Sequence, residues 1–142
     1  MIILDTNVLS ELMRAQPNPG VMAWMDAQSA DGLFISAITM AEILHGIARL
    51  PASKRKDHLH EMAWAIFSED FADRVLPFDA HAASRYAQWV ADSEAKGKPV
   101  SMADAQIAAI CQLHNASLAT RNVKDFAHGN VSLINPWLVD ES

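Results

Sequence analysis

The sequence predicts an α/β domain, a mostly parallel sheet with helices on both faces. Three observations carry that expectation. Short apolar, β-branched runs alternate with longer segments of helical period along the whole chain. The short runs are almost continuously apolar, the pattern of strands covered on both faces. The chain has 142 residues, 51% apolar and 20% charged, which is globular composition and enough for one domain spanning 1–142. A chain of that length buries about 68% of its unfolded surface.

The elements follow in order. Ile2-Ile3-Leu4 is a short buried strand, and Asp5 behind it is a natural N-cap for the next helix. A helix over 19–28 places Val21, Trp24 and Met25 on one stripe. The run 33–38 reads as the second strand, followed by a helix over 40–50 with Ile43, Leu44, Ile47 and Leu50 at helical spacing. The segment 53–69 is amphipathic and opens with Lys54-Arg55-Lys56. The run 74–78 is a third strand, and Pro77 marks an edge or a strand end. A helix over 80–96 stops at Gly97, which suits the C′ position. The helix 102–114 turns Ala103, Ile107, Ile110 and Cys111 inward, and strands at 117–120 and 131–134 complete the sheet. In such sheets the ligand crevice lies at the carboxyl ends of the strands.

Composition excludes several classes. Lys and Arg number 11 against 17 Asp and Glu, a net charge of −6, which argues against a protein that coats nucleic acid with clustered cations. An enzyme that touches a few phosphates beside a bound metal is still allowed. The single cysteine, Cys111, rules out an intrachain disulfide framework. No apolar stretch approaches the roughly 20 residues of a membrane span. The N-terminal run meets an acid at its fifth residue and lacks the basic region of a signal peptide. A reducing cytoplasm is the expected compartment.

Four acidic positions converge on the predicted ligand edge. Asp5 follows the first strand. Glu42 lies in Thr39-Met-Ala-Glu42, and Asp104 in Ser101-Met-Ala-Asp104. Both strings are capping boxes, so in isolation each carboxylate has a sufficient local role. Two features weaken that reading: both acids fall in the first turns of helices that begin on the ligand side, and Gly46 sits one turn after Glu42. A glycine there costs about 1 kcal/mol against alanine, which suggests a close approach to the Glu42 face. Arg49 shares that face and has two uses, pairing with Glu42 or meeting a phosphate. After the fourth strand comes Thr120-Arg121-Asn122-Val-Lys-Asp125-Phe126, read either as an Asx turn with capping or as an acid and an amide completing a ring of oxygen ligands.

Such a set suits Mg²⁺, with Mn²⁺ as a substitute. Both are hard cations that take carboxylate oxygens and keep several waters. Carboxylates forced together repel one another, and a cation relieves the repulsion. Two such ions about 3.5–4 Å apart activate water and stabilise the leaving oxygen of a phosphodiester. An acidic protein can then cut a polyanion, because the metals supply the missing positive charge.

The string Ile-Leu-Asp5-Thr6-Asn7-Val8-Leu9-Ser10-Glu11 resembles the opening of PIN-domain ribonucleases, above all VapC-type toxins of bacterial toxin–antitoxin pairs. Ala41-Glu42 with Gly46, Ala103-Asp104 with Ile107-Ala108-Ala109, Thr120-Arg121-Asn122 with Asp125-Phe126, and Asn135-Pro136-Trp137 follow in the family's order. The resemblance spans essentially the whole chain. It implies a PIN-like three-layer sandwich and a metal-dependent endoribonuclease that cleaves RNA, often tRNA, through a metal-activated water. It also implies a homodimer and a small VapB-like antitoxin that blocks the site. Asp5, Glu42 and Asp104 match the family's acids, and either Asn122 or Asp125 completes the set. Thr6 and Thr120 match hydroxyls near the metal. Arg49, Lys54, Arg55 and Lys56 are the candidate contacts to RNA phosphates, although such a run is more often a solvated face.

Other readings are weaker. Glu42-x-x-His45 is half of a di-iron bundle motif, and its second copy is missing. His58-Leu-His60-Glu61 is not the His-Glu-x-x-His zinc pattern; it reads as a solvated or dimer-facing surface. Trp24, Trp64 and Trp89 read as core or interface anchors rather than base-stacking platforms. A haloacid-dehalogenase type of phosphoryl transfer needs Asp-x-Asp, and here the third residue is Asn7. The alternative from another class is a non-catalytic interaction module whose acids merely cap helices.

Overall fold

In the computed structural model, which describes residues 1–127 and 129–138, five strands form one sheet. They are β1 (Ile2–Leu4), β2 (Leu33–Ser36), β3 (Val75–Leu76), β4 (Ser117–Ala119) and β5 (Leu133–Ile134), in the spatial order β3-β2-β1-β4-β5. Every neighbouring pair is parallel. The helices are α1 (Thr6–Leu12), α2 (Pro19–Asp26), α3 (Ala37–Ala48), α4 (Lys54–Ala65), α5 (Ala80–Ala95), α6 (Met102–Leu113) and α7 (Val123–Phe126). The expected α/β architecture is therefore present.

The period-2 geometry of a strand divides its side chains between two cores. Ile3 and Leu118 face the cluster that contains Trp89, Ala105, Ile107, Ile110 and Phe126, contributed by α5, α6 and α7. Leu4, Ala119 and Ile35 of β2 face the opposite cluster with Val8, Leu9, Val21, Trp24, Ile43 and Ile47, from α1, α2 and α3. Helix layers on both faces explain why the strands carry no polar alternation.

Helix ends follow the backbone chemistry. Gly97 adopts φ +65°, its N–H donates to the Glu94 carbonyl, and the Lys98 N–H donates to the Ser93 carbonyl. This pair of bonds is the Schellman closure expected for that glycine. Asn115, at φ 52°, closes α6 in the same way through bonds to the Gln112 and Cys111 carbonyls.

The boundaries correct the sequence expectation at several places. The strand read over 33–38 ends at Ser36, and α3 starts at Ala37. The Ser36 hydroxyl accepts from the Thr39 N–H at 3.1 Å, so Ser36 is the cap and Thr39 lies inside the helix. Apolar continuity across Ile35 to Ile38 concealed that break. The amphipathic segment expected to run to 69 is α-helical to Ala65 and continues as a single π turn, Ile66–Asp70. The third strand keeps only Val75–Leu76, with Pro77 directly after it, as a residue without an N–H requires.

β1 is the central strand, with β2 on one side and β4 on the other. Its carboxyl end is thus the point where the chain order reverses, and such points are where open α/β sheets bind ligands. Asp5 stands there.

Candidate active site

Asp5 is fixed from every side. Its own N–H donates to the Ala119 carbonyl at 2.9 Å, continuing the β1–β4 ladder by one bond. One carboxylate oxygen, Oδ1, accepts from the Thr6 N–H at 2.8 Å and so caps α1. The other, Oδ2, accepts the Thr120 hydroxyl at 2.7 Å and the Asn7 side-chain amide at 3.2 Å. The residue is only 3% exposed. Burial pushes its carboxyl above the ordinary value of 3.8, and the Glu42 charge adds to that; the donors from Thr120, Thr6 and Asn7 pull it back. The capping role and a functional role are therefore compatible in one side chain.

Glu42 lies in the second turn of α3, not the first. The expected capping box is replaced: Glu42 Oε1 accepts the Thr6 hydroxyl at 2.6 Å. The same hydroxyl is 3.0 Å from that of Thr39, so a Thr6–Thr39 pair ties α1 to α3 behind the acid. Asp104 is the third residue of α6, and its N–H donates to the Ser101 hydroxyl at 3.1 Å, as expected. Its carboxyl is pushed up from 3.8 to about 6, first by burial and then by the Asp5 charge, with further contributions from Asp125 and Glu42. The Ser101 hydroxyl acts in the opposite direction. Three acids bearing on a fourth place all four in one electrostatic neighbourhood.

Asp5, Glu42, Asp104 and Asn122 line a shared pocket of about 470 Å³ together with Thr6, Asn7, Arg121 and Trp137. Asp125 does not line it, and acts on it only through its charge on Asp104. The Asn122 N–H donates to the Thr120 hydroxyl at 3.0 Å, which draws the amide to the pocket.

Sequence reasoning gave Asn7 no role beyond excluding a dehalogenase. In the structure its amide donates to Asp5 and, at 3.3 Å, to the Thr120 hydroxyl, while its Oδ1 accepts the Arg121 N–H at 3.1 Å. One side chain thus joins the ends of β1 and β4. Its place two residues after a strand-ending acid was the available signal. Arg121 and Trp137 were also missed, because no local pattern brings residues sixteen apart onto one rim. Ser10, Arg14 and Glu11 complete the pocket. Arg14 pairs with the buried Glu11 at 3.1 Å, and Glu11 also accepts the Asn18 N–H.

Among the described residues no arginine or lysine forms an ion pair with Asp5, Glu42 or Asp104. No three histidine, cysteine, aspartate or glutamate side chains of the described residues stand close enough to cage one ion by themselves. The donors that meet in the pocket are nonetheless all oxygens, and their mutual repulsion is uncompensated. That set fits a hard cation held directly by one or two carboxylates and otherwise by water, the manner of Mg²⁺ rather than of an all-protein Ca²⁺ cage.

A second concavity of about 750 Å³ adjoins the acid pocket and shares Thr6, Ser10, Arg14 and Glu42 with it. Its walls are the apolar side chains Met13, Ile43, Ile47, Leu50, Leu59 and Met62, with Gly46 on its floor. A Cβ at Gly46 would meet nothing within 4 Å. The close approach expected there therefore comes from no part of this chain; the glycine keeps the groove open.

The basic cluster separates into different roles. Lys56 donates to the Ala48 and Leu50 carbonyls, both at 3.1 Å, and closes the end of α3. In the fold it is engaged as a structural cation. Arg55 lines the apolar groove, while Arg49 and Lys54 line neither concavity and are exposed. Arg49 forms no ion pair with Glu42. Of the tryptophans, Trp24 and Trp89 are buried as expected, and Trp64 is 43% exposed, with its indole N–H donated to His60 at 3.1 Å. The Cys111 thiol is pushed up to about 12, mainly by burial, and is inert as a nucleophile at neutral pH. No helix among the described residues is long and apolar enough to cross a membrane.

A five-stranded parallel sheet whose switch point gathers acids from the end of β1, from α3 and from α6 defines a class, and comparison with known proteins agrees. The PIN domain family model matches residues 2–129, and the chain belongs to the PIN-domain family. Within it, the chain is 42% identical to the VapC ribonuclease Y4jK of Sinorhizobium fredii over 137 residues, 96% of this chain and 98% of that one. It is equally 42% identical to toxin FitB of Neisseria gonorrhoeae, over 96% and 99% of the two chains. The crystal structure of FitAcB from Neisseria gonorrhoeae superposes with a TM-score of 0.92 at 42% identity, covering 98% of this chain and all of that one.

Proposed function

We propose that this chain is a metal-dependent endoribonuclease and the toxin half of a VapBC-type toxin–antitoxin pair. The observation that carries the reading is the shared, uncompensated acid pocket, in which the Asp104 carboxyl is pushed up to about 6 by burial and by the charges of Asp5, Asp125 and Glu42. The relatives named a VapC ribonuclease and a toxin support it across nearly the full length of the chain.

Asp5, Glu42 and Asp104 would hold the cation, one or two of them directly and the rest through its waters, with the Asn122 amide oxygen beside them. Asp125 raises the negative potential behind Asp104 without entering the pocket. A divalent ion, when bound, lowers the pKa of water toward neutrality and stabilises charge on a phosphodiester. Thr120 and Asn7 fix the Asp5 carboxylate through three hydrogen bonds counted with the Thr6 N–H, so its free lone pairs keep one direction. Thr6 does the same for Glu42. No side chain of the pocket is a nucleophile in this reading.

The substrate is RNA, with tRNA as the specific candidate. The adjoining apolar groove is where the antitoxin seats, since a partner lying there shuts the acid pocket at the shared Thr6–Glu42 wall. A homodimer completes the assembly.

The test combines metal binding and cleavage. Ions that bind only the folded state raise the melting midpoint. Millimolar Mn²⁺ raises it for the wild type and much less for Asp5→Asn, and RNA cleavage disappears in that variant and in excess EDTA. Cleavage that survives both treatments removes the metal mechanism. An unchanged midpoint with no cleavage favours the interaction module.

A further inference from the structure

We propose that Arg121 is the residue that grips a phosphate of the RNA, and that Trp137 positions it. The inference rests on the nuclease reading and adds a substrate contact to it.

Arg121 is exposed on the rim of the acid pocket. It and Arg14 are the two cations that line the pocket, and Arg14 is held by both carboxylate oxygens of Glu11. Arg121 forms no ion pair among the described residues. An arginine beside three acids would ordinarily fold onto one of them. Instead its guanidinium carbon lies 5.1 Å from the centroid of the Trp137 ring, a cation–π arrangement.

Both anchors are firm. The Arg121 N–H is tied to Asn7, the residue that also holds Asp5. Trp137 packs against the core cluster of α1–α3, and its backbone N–H donates to the Asn135 side-chain oxygen at 3.0 Å. A long side chain normally loses much rotamer freedom when it binds a ligand. Stacked on a fixed ring, Arg121 has already lost it. The ring also keeps the guanidinium off the carboxylates, which leaves them for a cation and leaves the fork for an oxyanion. A planar guanidinium on an aromatic plate matches phosphate in shape as well as charge. The arrangement places one positive group at the edge of the negative pocket that Asp5, Glu42 and Asp104 line.

The test is a binding titration of end-labelled single-stranded RNA of mixed sequence with the full chain in Mg²⁺, across a salt series, with a gel of the same samples to report cleavage. Arg121→Ala weakens binding about tenfold, as loss of one charge-assisted contact does. It also lowers the slope of log K against log salt by about 0.7, the increment for one phosphate on a single strand. Arg121→Lys keeps the slope. Trp137→Leu weakens binding in the same direction, and Trp137→Phe restores it. The rise of the melting midpoint with Mn²⁺ stays as in the wild type in all four, which separates this role from damage to the acid set. Unchanged affinity and slope in Arg121→Ala overturn the proposal while the nuclease reading stands. Loss of the Mn²⁺ response in that variant overturns it in favour of a structural role. A wild type that binds no RNA even at low salt overturns both readings together.

Discussion

The Thr120 hydroxyl reaches the Asp5 carboxylate at 2.7 Å, joining residues 115 apart in sequence across the carboxyl ends of β4 and β1. The bond is buried, and it is the largest of the effects that offset the burial of Asp5. Each strand thus delivers one half of the pair, and neither half is positioned until the β1–β4 ladder has formed.

Removing that donor isolates its worth. Thr120→Val preserves the shape and deletes the hydroxyl, leaving the Asp5 Oδ2 with Asn7 alone. Stability falls by about 1–2 kcal/mol, the effect of stripping a partner from a buried ionised group. Cation binding weakens as well, because Asp5 is left freer to turn and harder to ionise. Thr120→Ser recovers most of both. Equal melting midpoints and equal Mn²⁺ responses for Val and wild type would show that the bond is incidental.

The acid pocket also sets a pH dependence. Asp104 titrates near 6 in the fold against 3.8 in its ordinary state. A native value above the unfolded one means that the folded chain binds the proton more tightly. This group's contribution to stability is therefore complete below about 3.8 and is lost as pH rises through about 6. Asp5 is shifted in the same direction. The metal-free chain in EDTA should melt at a lower temperature near pH 7 than near pH 5, and Asp104→Asn should flatten that difference. Cleavage runs the other way and declines as pH falls below about 6, because a protonated Asp104 no longer attracts a cation. A melting curve whose midpoint rises from pH 5 to 7 in EDTA for the wild type, and not for the variant, contradicts the assignment.

Much of this arrangement was legible in the sequence, and the reasons differ from residue to residue. Asp5 was readable because it ends a strand, and strand ends at a switch point face the ligand side whatever the rest does. Asp104 was readable because Ser101-x-x-Asp104 sets its helix start locally. Glu42 was placed on the correct side for the wrong reason: the cap is Ser36, and apolar continuity through Ile38 concealed a helix that starts three residues early. The links made by Asn7, and the stacking of Arg121 on Trp137, depend on β4 and the chain after β5 docking beside β1. Local periodicity carries no information about such long-range contacts. The separation of Asn122 from Asp125 rests on the loop geometry after Thr120, which composition alone left open.

Gly129 supplies a structural test independent of the site. A Cβ built there would lie 1.8 Å from Cη2 of Trp89 and 1.9 Å from Cζ3. Those atoms belong to a rigid ring that is 3% exposed and packed in the α5–α6 core, so the ring has little room to yield. Gly129→Ala should therefore cost roughly 1–3 kcal/mol, the range of core overpacking. Thermal melting measures the loss, and cleavage per folded molecule is expected to stay as in the wild type, since neither residue touches the pocket. An alanine variant as stable as the parent would mean that the segment shifts away at no cost.

Lys56 separates a structural cation from a substrate contact. Its ammonium closes the two carbonyls at the end of α3, Ala48 and Leu50, where a positive charge also meets the negative end of the helix dipole. Lys56→Met keeps the aliphatic stem and deletes the donors. Stability should drop by about 1 kcal/mol, with RNA affinity and its salt slope unchanged. Arg55→Ala should behave oppositely: Arg55 is exposed on the groove wall and forms no ion pair among the described residues, so stability stays within about 0.5 kcal/mol. Its loss is expected to be felt by whatever occupies the groove, and a titration of each variant with RNA and with the antitoxin distinguishes the two. If Lys56→Met lowers the salt slope by the increment expected of a phosphate contact, the ammonium leaves its carbonyls when RNA binds, and the basic run at the start of α4 is part of the RNA surface after all.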